Sequence, residues 1–145
     1  MVTNKVSALI VGRPGRMRTS FQALLRMVPQ IEIIGQVDHA TEALALVARQ
    51  RPALVFLDSS QPIDEVLAAL RQIKNEWPQT QCIVFVDTIQ QQSMTKAAGA
   101  ATALLTGFSA ETLLTNIEEV LWRGHDALEV ARNHVVPSDL MCNAN

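Results

Sequence analysis

The chain has 145 residues, 48% of them hydrophobic and 18% charged, with a formal net charge of −2. That describes one soluble globular domain able to bury its own core without disulfide or metal staples. The near-neutral balance argues against nucleic-acid binding through bulk charge, and no apolar run approaches the roughly 18 residues of a membrane span.

Val6–Val11 (VSALIV) is a continuous apolar run ended by Gly12-Arg13-Pro14-Gly15. Runs this short and this rich in Val and Ile read as strands buried on both faces. Met17, Phe21, Leu24, Leu25 and Val28 then form a helical stripe stopped by Pro29. Ile31–Val37 (IEIIGQV) is more mixed, as an edge strand would be, and Ala43, Leu44, Val47 and Ala48 make a second helical stripe that stops before Pro52. Leu54–Leu57 (LVFL) is the third strand, followed by a helix on Val66, Leu67, Leu70 and Ile73 that stops before Pro78. Cys82–Val86 (CIVFV) is the fourth strand, and Gln90–Ala98 a shorter, more polar helix closed by Gly99. Ala103–Leu105 is the weakest strand candidate. After it Ser109 can cap a last helix, with Glu111 in its first turn and Leu113, Leu114, Ile117, Val120 and Leu121 on its apolar face.

Five strand–helix units in strict alternation, joined by right-handed crossovers, predict a flavodoxin-like (βα)5 three-layer α/β sandwich with a parallel five-stranded sheet of order 2-1-3-4-5. Function is then expected where the strand order reverses, at the carboxyl ends of strands 1 and 3: the Gly12–Gly15 loop and Asp58. Residues 1–124 read as the domain and 125–145 as a tail with a short helix over Asp126–Asn133. Two cysteines, Cys82 in an apolar run and Cys142 in the tail, make neither a disulfide framework nor a zinc site. The N-terminus MVTNKVSALIV lacks a signal-peptide pattern, so a cytoplasmic location is expected.

The stretches ALIVGRPGRMRTSFQALL, IEIIGQVDHATEALALV, RPALVFLDSSQP, LRQIKNEWPQTQCIVFV and AAGAATALLTGFSAETLLTNIEEVL, in this order and spacing, resemble the receiver domain of two-component response regulators. The likeness spans roughly Lys5–Arg123 and is greatest to receivers that precede a helix-turn-helix domain. It implies a phosphoacceptor aspartate at the end of strand 3, which falls on Asp58, followed by Pro62. It also implies a magnesium ion held by two acidic residues after strand 1 and by a backbone carbonyl two past the nucleophile. Here the acidic pair is Gly12 and Arg13, and the carbonyl of Ser60 alone remains. The hydroxyl expected after strand 4 falls on Val86, with Thr88 as a stand-in if the strand is shifted. The lysine after strand 5 is Thr106, and the aromatic switch position is Ala103.

These replacements predict an atypical receiver that signals through protein–protein contacts. It would have no catalysis of its own, no bound magnesium and no magnesium-dependent phosphorylation. Arg13 is expected either to pair with Asp58, doing without the metal, or to point to solvent. One rival is a conventional regulator phosphorylated on Asp58 by a histidine kinase. Another is an anion or nucleotide module at Gly12–Arg16, where backbone N–H groups of a helix N-terminus meet arginines. The three histidines have no metal-ligand spacing, and Asp87 lies just past strand 4 as a lone carboxylate. Trp122 falls opposite the apolar stripe of the last helix and is a candidate interface anchor or a residue covered by the tail. Protein partners are implied, homodimerisation is left open, and neither DNA binding by this chain alone nor membrane association is expected.

Overall fold

A computed structural model describes residues 5–133, with the side chains of Met17 and residues 122–133 excepted. It contains β1 (Val6–Val11), α1 (Arg16–Arg26), β2 (Ile31–Val37), α2 (Ala40–Gln50), β3 (Leu54–Leu57), α3 (Ile63–Glu76), β4 (Gln81–Val86), α4 (Ile89–Ala98), β5 (Thr102–Leu105) and α5 (Ala110–Asn133). The strands form one sheet of order β2-β1-β3-β4-β5, and every pairing is parallel. The flavodoxin-like architecture expected from the alternation of periods is the one observed.

Because successive side chains of a strand point to opposite faces, each apolar run feeds two cores. Leu9, Val11, Val55, Leu57, Val84 and Val86 pack under α2, α3 and α4 with Val47, Leu70 and Ile73. Ala8, Ile10, Leu54, Phe56, Ile83 and Phe85 pack under α1 and α5 with Phe21, Leu25, Leu113 and Ile117. Phe21 anchors the second core edge-on to Phe56 and Phe85, with ring centroids 4.8 and 4.9 Å apart, the geometry favoured by the ring quadrupoles.

The mixed character of β2 has a visible counterpart. Its pairing with β1 slips by one residue, from Ala8 opposite Ile33 to Leu9 opposite Gly35, so Ile34 bulges out of the ladder. The weak candidate around Ala103 is the edge strand β5, one residue longer at its start. α4 is capped by the Thr88 hydroxyl, which accepts from Gln91 N–H at 3.1 Å, and is closed by Gly99 at φ 119°, where glycine is favoured. Ser109 caps α5 as expected, accepting from Thr112 N–H at 3.0 Å.

The last helix departs from the expectation of a stop near Gly124 followed by a separate short helix. α5 runs unbroken through Gly124 to Asn133, since one interior glycine costs a helix only about 1 kcal/mol. The rest of the expected tail lies outside the described residues. Among the described residues, no helix is long and apolar enough to cross a membrane.

Candidate functional site

The site lies where the strand order reverses. Val11 pairs with Leu57, so the next residues of each strand, Gly12 and Asp58, emerge side by side. The Asp58 N–H donates to Val11 O at 3.0 Å, and the Gly12 N–H to Val37 O at 2.9 Å. Asp58 is 6% exposed. Its carboxylate fills the space beside Gly12: a Cβ built there would lie 2.0 Å from Asp58 Oδ2 and 2.5 Å from Cγ. The glycine that replaces an acid in the receiver pattern is therefore also the residue that makes room for the aspartate.

The other carboxylate oxygen is taken by the loop that follows. Ser60 donates to Asp58 Oδ1 from its backbone N–H at 2.9 Å and from its hydroxyl. The same hydroxyl oxygen accepts from the Arg13 N–H at 3.3 Å, so Asp58 is linked through Ser60 to the β1–α1 loop. The serine thus contributes its side chain and N–H here, where the resemblance had pointed to its carbonyl.

Arg13 is exposed and forms no ion pair with Asp58. Of the two alternatives read from the sequence, the structure has the solvent-facing one. The reason is phase: Gly12 takes the inward position beside Asp58, and the following side chain turns out. The arginine engaged at this end of the sheet is Arg18. Its Nη1 donates to Gly12 O and to Asp38 Oδ1, each at 2.8 Å, and its Nε to Gln36 Oε1 at 3.0 Å. The contact between Arg18 and Asp38 is a salt bridge. The arginines of the loop are thereby separated, with Arg18 committed to the fold and Arg13 and Arg16 exposed.

Gln61, which the sequence did not mark, is buried and joins two loops. Its Oε1 accepts from Ala40 N–H at 2.9 Å, and its Nε2 donates to Asp38 O at 2.7 Å. A buried amide between polar loop residues has no periodic signature. The available clue was that a polar residue just before Pro62 sits next to the buried end of β3.

The remaining positions lie on β4, on β5 and in the turns that follow them. Val86 is buried in the core. Thr88 is exposed, and its hydroxyl oxygen caps α4. Thr106 donates from Oγ1 to Asp87 Oδ1 at 3.2 Å, and its N–H to Val86 O at 2.8 Å. Asp87 N–H in turn donates to Gln91 Oε1 at 3.0 Å. Ala103 is buried, and its carbonyl accepts from Gln92 Nε2 at 2.8 Å, which ties α4 to β5. The Trp122 side chain lies outside the described residues.

Magnesium demands a near-octahedral set of oxygen ligands, usually including carboxylates. Beside Asp58 stand Gly12 and an outward Arg13. Asp38 is paired with Arg18 and Asp87 with Thr106. No group of three His, Cys, Asp or Glu residues among those described could hold a metal ion. The residues present do not fit that ion. What the arrangement does chemically is accept hydrogen bonds: Asp58 is the acceptor on which the β1–α1 and β3–α3 loops converge. Among the described residues, no buried side-chain polar atom lacks a hydrogen-bond partner.

No family model matches the chain. Among curated proteins, it is 36% identical over 103 residues to a protein-glutamate methylesterase/protein-glutamine glutaminase of Geobacter metallireducens, covering 68% of this chain and 30% of that protein. A protein of the same description from Pyrococcus horikoshii is 30% identical over 78 residues, 54% of this chain and 21% of that one. The chain thus spans a third or less of the length of these relatives. Among solved structures, a two-component response regulator of the LuxR family from Aurantimonas sp. superposes with a TM-score of 0.74 at 20% identity, covering 90% of this chain and 99% of that one. A CheY-like response regulator receiver domain protein from Methanospirillum hungatei gives 0.73 at 20% identity, covering 85% and 98%. The sheet order, the crossovers and these superpositions agree on one assignment: the chain has the CheY-like fold of the response-regulator receiver domains.

Proposed function

We propose that the chain is an atypical receiver domain that works in signal transduction by protein–protein contact, with no catalysis of its own and no magnesium-dependent phosphorylation of Asp58. The observation that carries this reading is the enclosure of the Asp58 carboxylate, one oxygen against Gly12 and the other on Ser60. In receiver chemistry the aspartate attacks a phosphoryl group whose charge a metal ion offsets. Here the nucleophile is hydrogen-bonded inward, and no second carboxylate stands beside it to recruit a cation.

A conventional receiver switches when a new charge biases a bistable element. In this chain Asp58, Ser60, Gln61 and Arg18 tie the loops after β1, β2 and β3 together. Gln92 and Thr106 tie the β4–α4 region to β5. The reading is a domain held in one state, recognised by a partner protein in the cytoplasm, without a metal cofactor or DNA contacts of its own. The methylesterase activity named for the curated relatives is not carried over, because the matched stretch is a minor part of those proteins.

Thermal denaturation with and without magnesium, on the wild type and Asp58→Asn, tests this. The reading expects the same midpoint with and without the ion. A magnesium-dependent rise present in the wild type and absent in the variant restores a conventional Asp58 switch. A rise with phosphate or a nucleotide in the absence of magnesium moves the function to the Gly12–Arg16 loop.

A further inference from the structure

We propose that the cleft between the ends of α2 and α3 is a binding site for a free α-amino acid with an apolar side chain. It lies at the opposite end of the sheet from Asp58, since Ala53 precedes β3 and Asp58 follows it. The proposal is therefore independent of the reading of Asp58. The cleft has a volume of ≈470 Å³, and Arg51, Pro52, Glu76, Trp77, Pro78 and Thr80 are among the residues lining it. That volume is in the range of small-molecule sites.

The walls of the cleft are braced by the chain itself. The buried Thr80 hydroxyl donates to Pro52 O at 2.8 Å. The Gln81 N–H donates to Ala53 O at 2.8 Å, and the Thr80 N–H to Trp77 O at 3.0 Å. These bonds hold the α2–β3 connection against the α3–β4 connection. Trp77 is half-buried and packs on the core under α2 and α3. With Pro52 and Pro78 it gives the cleft an apolar side.

The two charged residues of the cleft both break the local rules of helix ends. Arg51 closes α2 at φ 48° and ψ 59°, in the left-handed region that favours glycine or asparagine. No other non-glycine residue among those described has a positive φ. Glu76 is the last residue of α3, where the helix dipole disfavours an acid. Backbone strain and charge placed against the local preference concentrate at functional positions. Both residues are exposed, and neither makes an ion pair with the other or with any described residue.

Arg51 Nε donates to Ala48 O at 3.0 Å, which leaves both Nη groups to hold a carboxylate end-on. Glu76 and the carbonyl end of α3 suit an ammonium group. A simple anion would leave Glu76 unpaired, and a simple cation would leave Arg51 unpaired. A ligand with both charges and an apolar body satisfies the whole lining, and an α-amino acid carries all three groups on one carbon.

Isothermal titration of the full chain with L-leucine, L-methionine and L-phenylalanine tests the proposal. At least one of them is expected to bind, at one site per chain. The amine that lacks its carboxyl group and the acid that lacks its amino group should each bind about tenfold or more weakly, because each leaves one charged residue unpaired. Arg51→Gly, which suits the left-handed backbone, and Glu76→Gln, at an exposed position, should keep the fold by circular dichroism. Each should weaken binding about tenfold or more, whereas Asp58→Asn should leave it unchanged. The proposal is overturned if none of the three amino acids binds, or if the amine or the acid binds as tightly as its parent. It is overturned equally if binding survives Arg51→Gly or Glu76→Gln, or is lost in Asp58→Asn.

Discussion

Gly12→Ala is the smallest perturbation that tests whether the Asp58 carboxylate is held in the space left by the glycine. The three heavy atoms nearest to a Cβ at this position all belong to Asp58, at 2.0, 2.5 and 2.9 Å. The conflict is therefore with one side chain. The residue's φ lies outside the left-handed region, so alanine brings no backbone strain. Asp58 can escape only by rotating away, which breaks the two hydrogen bonds from Ser60 to Oδ1. Hydrogen bonds to a charged group contribute about 1.5–3 kcal/mol each, so a loss of about 3 kcal/mol is expected after partial relaxation. For a domain of this size that lowers Tm by about 10 °C. In an Asp58→Ala background the obstruction is gone, and the same substitution should cost less than about 0.5 kcal/mol, giving a coupling energy above 2 kcal/mol. Urea denaturation of the four proteins of this cycle gives the answer. Equal losses in both backgrounds, or wild-type stability for Gly12→Ala, would refute the packing argument.

Three other perturbations bear on the same loops and on the core. Ser60→Ala removes a hydroxyl that donates to Asp58 and accepts from Arg13 N–H. It should cost about 1–2 kcal/mol in chemical denaturation, whereas an unchanged midpoint would leave Asp58 without its claimed cap. Gln61→Leu strands the Ala40 N–H and the Asp38 carbonyl and should cost about 2–3 kcal/mol. Slowed amide exchange at Ala40 in the wild type, lost in the variant, locates the effect. Burial pushes the Cys82 thiol from 9.0 up to about 12. Because the folded value is the higher one, the contribution of this group to stability is complete below about pH 9. It is then lost at up to about 1.4 kcal/mol per pH unit as pH rises toward the folded value. In a Cys142→Ser background, labelling of the native protein by a thiol reagent should stay slow through pH 9. Fast labelling there would contradict the burial.

The fold was legible because its signals are redundant. VSALIV, LVFL and CIVFV are too short for helices and too apolar for surface strands, and alternating burial of their residues on two faces is what the structure shows. β5 was the faintest strand because an edge strand of four residues needs little hydrophobic content. The course of α5 through Gly124 was misread because glycine is treated as a stop, although its cost inside a long helix is modest.

At the site, Asp58 could be placed because β3 ends on it, and the missing acidic pair could be read from Gly12 and Arg13. What those residues do instead was less accessible. The outward turn of Arg13 depends on a one-residue phase after β1. The engagement of Arg18 depends on where α1 lies over the end of β2. Gln61 is buried by the meeting of two loops that are distant in sequence, which no local pattern records.

The most direct measurement is the intact mass of the protein after incubation with acetyl phosphate and magnesium, on the wild type and Asp58→Asn side by side. The account predicts no phosphoryl adduct on either. An adduct on the wild type that is absent from the variant would show that the Asp58 carboxylate leaves Ser60 and Gly12 to act as a nucleophile, and would contradict the account.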